Sequence, residues 1–283
     1  MPDSTVSFEF EQQPLSFRSV SEDDHILKLM RQLGTFYEYD VLLRIRERLR
    51  AQNRRGAAID AGGFIGTHTV FFSKFCGLSP VLTFEANPAN YAVLGENLEA
   101  NGVHDAVIAV NKAVGAEQGR AAVLIGPETN RGTTRVELGS QQPGSIPMTT
   151  IDAEVKAHNL RDVSAIKVDV EGVEIDVLRG GTGVIARHRP LLCVEIHNAA
   201  NLREVLALLV ASRYWIVDCL GYSPTYIIEP SEASERRRNF VNKLWVWRAS
   251  LPHAWSFARK NLRRLAQRFA TGRWDPPPRS KRK

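Results

Sequence analysis

Two blocks of ionisable residues stand out for what they could do to a proton. One is Lys167-Val168-Asp169-Val170-Glu171-Gly172, and the other is Glu195-Ile196-His197-Asn198. In extended chain, alternate residues face one side, so Lys167 and Asp169 share a side, as do Glu195 and His197. Ionisable groups brought that close shift one another's proton affinities, as general acid/base work requires. Glu171 and His197 are the favoured bases, with Asp169 and Glu195 beside them. Asp169 and Glu171 equally suit capping of a following helix, and Glu195 suits a satisfied strand end. The same four side chains are acceptable ligands for a divalent cation. No compact metal-binding signature accompanies them, and no metal is expected.

A second feature points to a ligand. Asp60-Ala61-Gly62-Gly63-Phe64-Ile65-Gly66 lies between a strand-like and a helix-like segment. Glycines there allow a sharp turn and close approach of the backbone to a ligand. The dinucleotide fingerprint would need Gly at position 61, where Ala61 stands, and an acid, Asp60, ends the strand. A carboxylate there suits a sulfonium compound with a cationic amino-acid end better than a pyrophosphate. Glu85 ends the next strand-like segment, where an acid can accept ribose hydroxyls.

The elements that must position these residues follow from periodicity. Val6, Phe8 and Phe10 alternate as in a short strand, and residues 23–49 carry two helical stripes separated by Gly34. Strand-like runs at 57–60, 81–85, 107–114, 165–170 and 191–196 alternate with helical runs at 67–75, 89–101 and 202–211. Residues 215–219 and 244–247 are the last strand candidates, and 121–125 is a short β segment among Gly-, Thr- and Pro-rich loops. This rhythm predicts an α/β fold: a Rossmann-like, doubly wound, mainly parallel sheet. Ligands of such sheets bind beyond the carboxyl ends of the strands. The chain divides into an N-terminal helical and β extension (1–55), the α/β domain (56–249) and a basic tail (250–283).

Several ordered motifs resemble one family. They are Asp60 to Gly66, Phe84-Glu85-Ala86-Asn87-Pro88, Glu96-Asn97-Leu98 with Asn101, and Ile166 to Glu174 with Leu178-Arg179-Gly180. Thr150-Ile151-Asp152 and Phe36-Tyr37-Glu38 fit as well. Together they resemble the FkbM-type methyltransferases, from about Tyr37 to His197. Ala86 departs from the proline usual there, while Pro88 follows as expected. The resemblance implies a class I fold, S-adenosylmethionine as donor, and methylation of a hydroxyl oxygen of a sugar, glycan or other small molecule. It also implies that Gly62 and Gly66 shape the donor loop, that Asp60 lies near the donor's amino-acid end and that Glu85 holds its ribose. By the same resemblance Asn111 reaches the adenine edge, and Tyr37 and Glu38 cover the donor. Such a transfer is an in-line displacement that needs alignment and exclusion of water. The loop from Asn130 to Thr134 is a candidate lining for the acceptor pocket. The competing readings are a nucleotide-dependent oxidoreductase, an RNA methyltransferase and a donor-binding protein without turnover.

Charge is unevenly placed. From Arg248 to Lys283 there are 11 Lys and Arg against one Asp, which leaves 26 against 30 acidic residues on the remainder. The body is therefore mildly acidic, and no nucleic acid is expected as a partner. In the tail, Trp255, Ala258, Leu262, Leu265 and Phe269 recur at helical spacing among Arg and Lys, a pattern that can lie on an anionic membrane through 254–273. The polar start, the lack of a long apolar run and three scattered cysteines predict a cytoplasmic protein, peripheral on the membrane face if the tail engages it.

Overall fold

The computed structural model describes residues 4–250, apart from 126–134, 140, 141, 143 and 222. The loop at Asn130–Thr134 and the tail stripe at 254–273 lie outside the described residues.

The central sheet has seven strands in the order β12-β13-β11-β10-β3-β4-β5. Strands β3 (Ala57–Ala61), β4 (Val81–Phe84), β5 (Val107–Val110), β10 (Val163–Val168) and β11 (Leu191–Glu195) pair in parallel. Their centre reads as near-continuous apolar sequence because helices cover both faces. β13 (Thr225–Pro230) runs antiparallel between β11 and β12 (Tyr214–Leu220). The chain builds outward from β3 to β5, then crosses back to place β10 on the other side of β3. Strand order therefore reverses between β3 and β10, where a crevice opens at the carboxyl ends.

One face packs on α1 (His25–Leu33), α2 (Tyr39–Ala51), α3 (Thr67–Cys76) and α4 (Pro88–Ala100), through Leu27, Leu42, Phe71 and Leu94 among others. The other packs on α5 (Ile151–Ala157), α6 (Glu174–Arg179), α7 (Thr182–His188), α8 (Ala199–Leu209) and the inner side of α9 (Glu235–Ala249). The alternating apolar residues near the start form β1 (Thr5–Phe10), which pairs antiparallel with β2 (Gln13–Arg18). Phe36 is fully buried at the hub of an aromatic cluster. Its ring lies 5.3 Å from Phe8, 5.4 Å from Phe10 and 5.2 Å from Phe71, centroid to centroid. This cluster fastens hairpin, α1–α2 connection and α3 together. Asn97 of α4 and Asn101, its C-cap, hold the hairpin through paired bonds to the backbone of Arg18 and Ser16.

Two strand expectations need correction. The run 107–114 is two strands: β5 ends at Val110, and β6 (Ala113–Val114) joins a separate four-stranded sheet with β7 (Gly119–Leu124), β8 (Arg135–Leu138) and β9 (Ile146–Thr149). Asn111 and Lys112 break the run because their side chains leave it, Asn111 for the Glu85 and Ala86 carbonyls and Lys112 for Glu154. Residues 244–247 are helical within α9, whose N-terminus is capped by Ser234. A four-residue apolar run fits either element, and the longer capped segment decides it. The antiparallel β13 lay between the two final strand candidates and went unassigned.

Candidate active site

The glycine loop leaves β3 beneath the end of β10. Gly62 has φ +87°, and a Cβ there would fall 1.8 Å from the Asp169 carbonyl oxygen. Gly66 also has φ +87° and opens α3, but its nearest foreign atom would be 3.5 Å away. The requirement for glycine at 62 thus comes from packing against β10, and at 66 from backbone conformation. Four of the loop's N–H groups bond within the protein. Gly62 and Gly63 both donate to the Phe84 carbonyl, at 3.1 and 2.8 Å, and Gly66 donates to Gly63. Phe64 donates to Glu85 Oε2 at 2.9 Å.

Glu85 is buried, and its other oxygen accepts from the Asn87 N–H at 2.8 Å and from Asn90 at 3.4 Å. Burial pushes its pKa up to about 7, against the pull of those hydrogen bonds. A carboxylate offers roughly four acceptor positions, so three protein donors leave room for another. Asn111 has its amide nitrogen 2.8 Å from the Glu85 carbonyl and 3.3 Å from that of Ala86. It braces the Glu85 turn, so its donor group is committed to the protein.

Lys167 is the pivot of the crevice. Its ammonium donates to the Gly62 carbonyl at 3.0 Å and lies 3.3 Å from Asp60 Oδ1 and 3.4 Å from Asp169 Oδ2. Burial disfavours its charge, yet Asp60, Asp169 and Glu38 outweigh burial and hold its pKa above the ordinary lysine value. Asp60 is sealed from solvent, with its second oxygen accepting from Thr69 Oγ at 2.7 Å. It therefore meets Lys167 and Thr69 and is not open to the crevice.

Asp169 follows β10 with its side chain 30% exposed. Burial would raise its pKa, but Lys167 and a hydrogen bond shared with Glu195 bring it below the ordinary value. Glu195, at the end of β11, is pushed up to about 9 by burial and by the Asp169 charge. The two environments thus push the pair apart, Asp169 toward its ionised form and Glu195 toward its protonated form. Glu171 adopts φ +57°, a left-handed backbone that turns it back toward the pair. Burial, Asp169 and Glu174 push it up to about 7. Carboxylate oxygens of Asp169, Glu171 and Glu195 lie within 4.8 Å of one another, a spacing that could hold a divalent cation. His197 is half exposed at the rim, its Nε2 3.6 Å from Glu195 Oε2. Neither Asp169 nor Glu171 caps α6, whose N-cap, Val173, has no side-chain bond. Instead Glu174 accepts from the Gly172 N–H at 2.7 Å.

The four residues expected at the reacting edge are thus brought together. Glu38 joins them from the N-terminal segment: it is buried, and burial with the Asp169 charge pushes it up to about 8. Tyr37 beside it packs half-buried against the aromatic face. The sequence reading missed His68, buried 3.5 Å from Glu38 and held down at about 4 by burial and the Lys167 charge. It also passed over Thr69, and it gave no role to Asn97 of the Glu96-Asn97-Leu98 motif, which donates to the Ile65 carbonyl at 2.8 Å. The available signal was Thr67-His68-Thr69, a polar triplet opening an otherwise apolar helix.

The family described as the Methyltransferase FkbM domain matches residues 56–224. Methyltransferase 1 of Beauveria bassiana is 30% identical over 142 residues, 43% of this chain and 57% of that protein. The hexuronic acid methyltransferase AglP of Haloferax volcanii is 30% identical over 152 residues, 53% of this chain and 59% of that protein. The chain spans less than two thirds of the length of both relatives. A crystal structure of an FkbM methyltransferase from Methylobacillus flagellatus is similar at 17% identity and TM-score 0.44, covering 60% of this chain and 43% of that one.

Proposed function

We propose a methyl-transfer activity from one premise: the chain belongs to the methyltransferase FkbM family. In this reading the donor is S-adenosylmethionine, which when bound supplies an electrophilic methyl group on a sulfonium. The acceptor is a hydroxyl oxygen of a sugar, glycan or other small molecule. A hexuronic acid is the first candidate, since the name of the Haloferax volcanii relative specifies one.

The observation that carries the reading is the balance of charges and donors at the switch point. A pyrophosphate needs free N–H groups at the glycine loop. Here those of Gly62, Gly63, Phe64 and Gly66 are spent inside the protein. The crevice instead gathers Glu38, Glu85, Asp169, Glu171 and Glu195 around Lys167, whose charge the sealed Asp60 already balances. Such a surplus of carboxyl groups fits a ligand with an ammonium and a sulfonium, and it disfavours the oxidoreductase reading.

Within that frame Glu85 receives a ribose hydroxyl, and Asn111 steadies the turn that presents it. Asp60 acts through Lys167, which anchors the glycine loop and keeps Asp169 ionised for the donor's ammonium. Gly62 and Gly66 give the loop its path, and Tyr37 and Glu38 close the crevice from the N-terminal side. Glu171, with a proton affinity near neutrality, is placed to take the acceptor's hydroxyl proton as the acceptor oxygen bonds the methyl carbon and the S–CH3 bond breaks, sulfur leaving as a neutral thioether. His197 stands at the rim, beside Glu195, where a proton can leave to water.

Calorimetry with S-adenosylmethionine, its demethylated product and NAD tests the donor, and methyl-labelled donor with hexuronic acids and neutral sugars tests the acceptor. Binding of NAD with no binding of S-adenosylmethionine would sink the reading. Tight donor binding with no labelled product from any hydroxyl acceptor would instead favour a donor-binding protein without turnover.

A further inference from the structure

The outer face of α9 is not explained by methyl transfer. Its inner side is well used: Trp245 meets the Tyr226 ring, and Asn242 bonds the backbone of Tyr214 and Ile216. Its outer side exposes Phe240 at 68%, Leu244 at 52% and Trp247 at 60%. At about 100° per residue these three fall within an arc of about 60°. On the same wheel Arg236 and Lys243 border the arc on one side, and Arg237 and Arg248 border it on the other. All four are exposed, and Glu235 is the helix's only acid.

We propose that this face of α9 seats the protein on an anionic membrane surface. The aromatic and leucine side chains enter the headgroup boundary, and the four bordering cations meet lipid phosphates. Two observations select this occupant. An isologous contact with a second copy would bring each cationic border against the same border of its partner. A bilayer presents an apolar interior behind a negative layer, which matches a stripe framed by cations on both sides. The sequence that follows, residues 251–283, adds ten Lys and Arg against one Asp, so the chain beyond α9 continues the same charge. Among the described residues no helix is long and apolar enough to cross a membrane, and the proposed seating requires none.

Co-sedimentation with phosphatidylcholine vesicles, with and without phosphatidylglycerol, tests this on the full chain. The parent should pellet with the anionic vesicles alone, and added salt should release it. The triple variant F240S/L244S/W247S should lose on the order of a hundredfold in partitioning, because three apolar side chains no longer leave water. Unchanged thermal unfolding of that variant shows that the loss is not misfolding. Equal pelleting of parent and variant would overturn the assignment, as would failure of the parent to prefer anionic vesicles. A parent dimer that becomes monomeric in the variant would give the stripe to a second copy.

Discussion

Replacing Lys167 by Met keeps most of the side chain's volume and deletes one charge at the centre of the crevice. The ammonium lies 3.3 Å from Asp60 and 3.4 Å from Asp169, with 6% of its side chain exposed. At an effective dielectric of about 20, each contact is worth roughly 5 kcal/mol of gross attraction. Desolvation of three ions offsets much of that, and removing one partner of a buried pair typically costs ~3–5 kcal/mol net. For a domain of this size the loss corresponds to a fall in Tm of roughly 10 °C or more. Asp169 sits below its ordinary pKa, so its contribution to stability is present above the unfolded value of about 4 and fades as pH falls through the folded value. Lys167 sits above its ordinary pKa, so its own contribution is constant across this range and is lost only in strong alkali. In K167M the buried carboxyl groups lose their counter-charge, so burial raises their proton affinity and protonation relieves them as pH falls; the deficit is therefore largest near pH 8 and shrinks toward pH 4. Urea unfolding at several pH values measures it. A variant as stable as the parent at pH 8, or a deficit that does not change with pH, would refute the argument.

Other outcomes follow from the same geometry. Glu171→Gln should lower turnover by ~10²–10⁴-fold with donor affinity unchanged, because a positioned base is removed. In the parent, turnover should rise as pH passes through about 7, where Glu171 loses its proton, and this limb should vanish in the variant. Glu85→Ala should weaken donor binding by ~1–3 kcal/mol in calorimetry, and unchanged affinity would remove Glu85 from the donor site. Gly62→Ala should be far more damaging than Gly66→Ala in denaturant midpoints, since only the former drives a Cβ into backbone, at 1.8 Å. Turnover should survive a strong chelator; dependence on added divalent cation would turn Asp169, Glu171 and Glu195 from proton carriers into ligands.

Much of the fold was legible because its signals are local. The apolar runs at Ala57–Ala61 and Leu191–Glu195 and the stop at Gly34 each reflect one short stretch of chain. The α/β alternation then limits the topology to few choices. Where reading failed, the deciding contact was distant in sequence. Nothing near Asn111 announces that its amide will turn toward Glu85 and end the strand. Residues 244–247 look like a strand until Trp245 is seen against Tyr226 and the helix is traced back to its Ser234 cap. At the site, residue types and strand ends were legible, but the division of labour was not. Asp60 and Asp169 both read as acids at strand ends facing the site; burial separates them, sealing one behind Lys167 and leaving the other partly open.

That division explains why one lysine stands among so many acids. With no cation, carboxyl groups packed this closely would take up protons until their repulsion was relieved, and the crevice would lose its negative character. With a cation for each acid, it would be neutral and indifferent to a cationic ligand. Lys167 neutralises the sealed Asp60 and lowers Asp169, while Glu195, at about 9, and Glu38, at about 8, keep their protons near neutrality. The net result is a site with an ionised Asp169 facing the crevice and a Glu171 near its titration midpoint beside it. The first suits holding a cation and the second suits accepting a proton. Methyl transfer from a sulfonium to a hydroxyl needs both at once.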